Sequence, residues 1–167
     1  MRAFTISVLS CTLAAGMASA QSLPHQKIGL WQQQSTMMGM HITGELCVDA
    51  ATQEKLSAFS SSVAHHGKCE RGPIVHAADG SWTNDSTCEF RPGAKQTVHA
   101  VVTGDFDSKY TMTLTSLPDG RAITTVTSTW MGACKPGQHG GDFVMGNGMK
   151  INVLDPTSSG SPGGAAH

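Results

Sequence analysis

Residues 97–131 read TVHAVVTGDFDSKYTMTLTSLPDGRAITTVTSTWM, and this stretch decides the fold class. Tyr110, Met112 and Leu114 alternate with Lys109, Thr111, Thr113 and Thr115. A period of two turns successive side chains to opposite faces of an extended strand, so one face is apolar and the other polar. Val98, Ala100 and Val102 alternate in the same way, with Val101 out of step. Ala122 to Met131 is rich in β-branched residues and carries Trp130 near its end, a composition that suits a pleated, half-buried surface. Pro118-Asp119-Gly120 supplies a turn, because Pro presets φ and Gly takes the left-handed position. Three strands with short connections make an antiparallel meander.

The same patterns extend towards the N-terminus. Ile28 to Thr36 reads as a strand anchored by Trp31. Met38, Met40, Ile42, Leu46 and Val48 then fall on one face, against Gly39, His41, Thr43, Glu45 and Cys47 on the other. Asp49 can cap a helix beginning at Ala50, and Leu56, Phe59 and Val63 recur at helical spacing, which predicts one short helix near 50–62. Asp79-Gly80 is a hairpin signal within Cys69 to Phe90. A two-residue loop there sets Arg71 opposite Cys88 and leaves Cys69 diagonal to Cys88, within reach if the hairpin carries a bulge. After Cys134 the chain is Gly-rich, and from Pro156 to His167 it holds too little apolar surface to offset the entropy of ordering. The expected fold is mainly β, with a minor α component. One domain over 21–155 forms a single curved antiparallel sheet of about six to eight strands, bending towards a barrel, and 156–167 is a disordered tail.

Arg2, the apolar run Ala3 to Met17 and Ala18-Ser19-Ala20 have the layout of a secretory signal peptide, residues 1–20, cut before Gln21. A lipid anchor at Cys11 is disfavoured, since almost no apolar segment precedes that cysteine. Export to the periplasm of a bacterial cell is the resulting expectation. Cleavage leaves Cys47, Cys69, Cys88 and Cys134, without a C-x-x-C pair. An even number of cysteines in an oxidising compartment reads as two disulfides, with three connectivities open. The hairpin favours 69–88, which leaves 47–134.

The 167 residues carry 11 basic and 12 acidic side chains, so there is no basic footprint for nucleic acid. No apolar run of spanning length occurs beyond the N-terminal segment.

Several short motifs occur in a telling order: Gly29-Leu30-Trp31, Cys47-Val48-Asp49, Thr87-Cys88, Gly104-Asp105-Phe106 with Tyr110, and Trp130-Met131-Gly132-Ala133-Cys134. In that order the chain resembles the proteobacterial periplasmic family catalogued as domain of unknown function 3617. Ile28 stands where members usually have Pro. The resemblance implies an exported, disulfide-containing, mostly β domain and brings no catalytic residues with it.

Three kinds of chemistry compete for the remaining residues. Trp31, Tyr110 and Trp130 could line an apolar ligand pocket within the curved sheet. Met37, Met40, His41, His139 and Met145, with His65 and His66, offer thioether and imidazole ligands for copper or zinc. The plainer account of the strand methionines is core filling, with His41 turned to the opposite face. A hydrolase or redox enzyme lacks any recognisable motif, and Asp105 and Asp107 suit a solvated turn better than an acid–base pair. The leading expectation is a non-enzymatic binding or accessory module for a small apolar ligand or an envelope protein, without a cofactor. A copper- or zinc-binding protein is the alternative.

Overall fold

A computed structural model of the chain describes residues 23–37, 39–56 and 68–159. The elements are β1 (Gly29–Met37), β2 (Met40–Val48), α1 (Ala50–Lys55), β3 (Lys68–Arg71), β4 (Val75–His76), β5 (Trp82–Arg91) and β6 (Ala94–Asp105). They continue with β7 (Lys109–Leu117), β8 (Ala122–Gly132), β9 (Asp142–Met145), β10 (Lys150–Asn152) and β11 (Asp155–Ser159). All strands join one antiparallel sheet in the order β11-β10-β9-β2-β1-β8-β7-β6-β5-β3, with β4 also on β5. No pairing among the described residues joins β11 to β3, so the sheet is open and is not closed as a barrel.

The meander forms as its periodicity dictates. Val98, Ala100 and Val102 of β6 lie beside Ser116, Leu114 and Met112 of β7, all buried. Val101, out of step in sequence, sits opposite Thr113 on the outer face. That face is rich in threonine, and Thr111 and Thr127 touch across β7 and β8 with hydroxyls 3.3 Å apart. Trp31, Leu46, Val48, Phe106 and Tyr110 complete the core, with Leu23 from the segment before β1 and Leu56 beyond α1 packed on it.

Four features differ from expectation. The helix ends at Lys55, where Leu56 turns extended, and Phe59 and Val63 lie outside the described residues. In the Asp79-Gly80 hairpin Ala77 N–H reaches Ser81 at 2.8 Å, so the turn is longer than two residues. Gly72-Pro73 interrupts the strand, and Pro lacks the N–H a ladder needs. The two shifts bring Cys69 directly opposite Cys88 instead of diagonal to it. Third, the Gly-rich segment yields β9 and β10. Last, Pro156 to Ser159 extends β11 instead of starting an unstructured tail. An edge strand pairs through backbone groups alone and tolerates Pro, so composition underestimates it. Residues 1–22 and 160–167 lie outside the described residues.

Both cysteine pairs join as the hairpin favours: Cys47–Cys134 with Cα atoms 5.4 Å apart and Cys69–Cys88 at 4.0 Å.

Candidate functional site

One end of the sheet gathers most of the motifs noted in sequence. A bulge between Leu30 and Trp31 interrupts the pairing of β1 with β8, which sets Trp31 opposite Trp130. The two indoles then part in role. Trp31 is fully buried, its ring 5.5 Å from that of Tyr110. Its N–H donates to the Lys27 carbonyl at 2.8 Å. Trp130 is half-buried, donates to the Ile28 carbonyl at 3.1 Å, and has the Lys27 ammonium 3.8 Å from its ring centroid. Both tryptophans thus anchor the chain segment that enters β1. Gly29 makes this possible: a Cβ there would lie 2.2 Å from the Gly132 carbonyl oxygen and 2.6 Å from Trp130 Nε1.

Beside Trp130 runs an open groove of about 730 Å³. Ile28, Val48, Trp130, Ala133 and the Cys47–Cys134 disulfide make its apolar walls, and Asp49, Gln138 and His139 its polar rim. Asp49 caps α1: its Oδ1 accepts the Thr52 hydroxyl at 2.6 Å and the Thr52 N–H at 2.8 Å. These two bonds hold its carboxyl below the usual carboxylate range. Gly140 lies directly over that carboxylate, since a Cβ would fall 2.1 Å from Asp49 Cγ.

A latch behind the rim holds its His139–Gly140 edge in place. Gly141 N–H donates to the Cys47 carbonyl at 2.8 Å. The buried Asp142 carboxylate accepts the His139 N–H at 2.8 Å, the Lys150 ammonium at 2.6 Å and the Asn152 amide at 3.1 Å. Burial pushes the Asp142 carboxyl up, but these donors outweigh it and leave its pKa below the ordinary value. The His139 side chain itself points into solvent.

Of the three aromatic residues expected to line a pocket, only Trp130 reaches this groove. Tyr110 is sealed in the core, stacked on Phe106 with centroids 5.2 Å apart. Its hydroxyl accepts the Gln26 side-chain amide, and burial raises its pKa. Phe106 arrives there because Asp105 closes the turn through Asp107 N–H and the Ser108 hydroxyl, so Asp105 serves that turn.

The expected metal ligands do not converge. Met37 and Met40 face each other at the β1–β2 tip, whereas His41 is on the other face with its Nδ1 3.1 Å from the Thr36 hydroxyl. Met145 lies opposite Gly44 in β9, His139 at the groove, and His65 and His66 outside the described residues. Among the described residues no group of three or more His, Cys, Asp or Glu could hold a metal. The core-filling account of Met40 is also corrected: the residue is 59% exposed. Ile42, next on the same face, is also exposed, so the apolar face of β2 continues into solvent at the tip.

Sequence reasoning alone misses Lys27, Gly140 and Asp142. The position of Lys27-Ile28-Gly29 immediately before the Trp31 strand is the one signal there of a built approach.

Residues 26–134 match the model of a family described as "Protein of unknown function (DUF3617)". No curated protein and no solved structure matches the chain.

Proposed function

The chain belongs to the DUF3617 family, and from that premise we propose that it is a non-enzymatic binding module of the cell envelope. Its groove beside the Cys47–Cys134 disulfide takes a small, largely apolar molecule. The observation that carries this reading is the wall of solvent-accessible apolar groups, Ile28, Trp130 and Ala133, around a concave space backed by the buried Val48, with few polar groups at its rim. Concave, mostly apolar surfaces with a handful of polar groups are where small ligands gain affinity. Ile28 is 53% exposed with Trp130 beside it, so a ligand here removes apolar area from water on both sides. The disulfide and the Asp142 latch support the reading, because a prearranged wall avoids the ordering cost of binding. Residues of three of the motifs border the same space: Gly29, Cys47-Val48-Asp49, and Trp130 with Ala133 and Cys134. The N-terminal layout and the two disulfides support export to the periplasm.

The test is a fluorescence titration with an anilinonaphthalene sulfonate, an aromatic amphiphile, on the disulfide-intact protein and on Ile28→Lys. Saturable binding at micromolar concentration that drops at least tenfold in Ile28→Lys is the expected result. No saturable binding, or equal binding by both proteins, overturns the proposal.

A further inference from the structure

Two methionines face each other at the tip of the β1–β2 hairpin. Met37 and Met40 are direct partners across the hairpin, and they are 36% and 59% exposed. Directly opposed residues share a face, with Cβ atoms about 4.5–5.5 Å apart. Each thioether rides on a flexible unbranched side chain. Both sulfurs can therefore meet one ion without any backbone movement. Gly39, with φ of +82°, allows the tight turn that fixes this pairing.

The neighbours on that face decide which ion. Met37 is flanked on β8 by Thr124, and the next pair along the hairpin on that face is Ser35 with Ile42. The row contains no carboxylate and no imidazole: His41 is turned to the opposite face against Thr36. All four cysteines of the described chain are tied in disulfides, so no thiolate competes. Soft thioethers without hard co-ligands select a soft monovalent cation over Zn(II) or Cu(II). We propose that Met37 and Met40 form a two-thioether clip for Cu(I), or for its redox-inert analogue Ag(I). Neither the groove nor its ligand enters this inference.

A thioether has no proton to lose, so binding here is independent of pH between 5.5 and 7.5. A histidine site weakens on acidification across that window, as imidazole takes up its proton. The experiment is a titration of Ag(I) into the disulfide-intact protein, tracked by the methionine methyl carbon–proton NMR signals. Single variants Met37→Leu and Met40→Leu assign the two methyls. One equivalent of Ag(I) should shift these two signals, with micromolar affinity unchanged between the two pH values. The double variant should bind at least tenfold more weakly with an unaltered thermal midpoint. Shifts confined to other methionines, affinity that falls with acid, or a double variant that binds as tightly as the parent each overturn the proposal.

Discussion

The two disulfides close loops of very different length, and that difference fixes the order of their stabilities. Cys47–Cys134 spans 87 positions and Cys69–Cys88 spans 19. In the chain-entropy account, tying the unfolded chain at these separations is worth about 4.6 and about 3.2 kcal/mol. The gap, about 1.4 kcal/mol, is roughly tenfold in the folding equilibrium. The native state widens it. Cys69 belongs to the four-residue edge strand β3, already opposite Cys88 and held by its own ladder. Losing that bridge frees an edge. Losing Cys47–Cys134 unties β2 from the segment after β8 across the start of β1, where Leu30 pairs with Cys47 on one side and Gly132 on the other. Urea unfolding of Cys47→Ala/Cys134→Ala and Cys69→Ala/Cys88→Ala, each with the other bridge intact, measures both. The first variant should lose at least 1 kcal/mol more and also lose the groove's ligand. Equal losses, or the reverse order, would refute the assignment of Cys47–Cys134 as the principal brace.

Three further outcomes rest on single contacts. Tyr110 is the one tyrosine of the chain, so phenolate absorbance reports it alone. Its raised pKa means that the stability it confers is present below pH 10 and lost above, and its ionisation should coincide with alkaline unfolding instead of preceding it. Gly140→Ala drives a methyl into the Asp49 carboxylate and should cost about 1–2 kcal/mol, the worth of the α1 cap. Adding Asp49→Ala should cost much less than the sum, which thermal melts of the four proteins will show. Asp142→Asn should lose roughly 1–3 kcal/mol at pH 7, because Lys150 and the His139 N–H lose a charged acceptor. Asp142 has a lowered folded pKa, so its contribution is complete above pH 4 and fades as acid protonates it. Denaturation at pH 3 should therefore bring variant and parent closer together.

What could be read in the sequence was what depends on local period. The alternation over Tyr110, Met112 and Leu114 names the buried face of β7 directly, because a strand has only two faces and one must be covered. The cysteine pairing was legible for a similar reason: a hairpin centred on Asp79-Gly80 brings 69 near 88, and the longer turn and the Gly72-Pro73 break each supplied one step of the slip that sets them directly opposite. Period says which face is apolar but not whether anything covers it. Met40 and Leu46 share one face of β2, yet Leu46 is buried and Met40 is in water. The short strands β9 to β11 escaped because they are recruited by backbone pairing from a Gly-rich stretch. The groove escaped because its contacts are long-range. The fit of Gly140 over Asp49 leaves no trace in either local sequence.

The two proposed sites occupy opposite ends of the same hairpin, and that separation gives the two proposals independent fates. Ile28 and Val48 border the groove where β1 begins and β2 ends, whereas Met37 and Met40 flank the turn between them. Eight residue steps along β1 cover about 26 Å. Over that distance a substitution at one end adds to a substitution at the other, unless a shared two-state element couples them. The β1–β2 ladder runs unbroken over all nine pairs from Gly29–Val48 to Met37–Met40, with its one bulge on the β8 side. A rigid ladder of this kind transmits no switch, so Ag(I) at the tip should leave the amphiphile's affinity at the groove unchanged. Ile28→Lys should likewise leave the methionine shifts untouched. A coupling between the two titrations would mean that the hairpin moves as a lever, and that one site regulates the other.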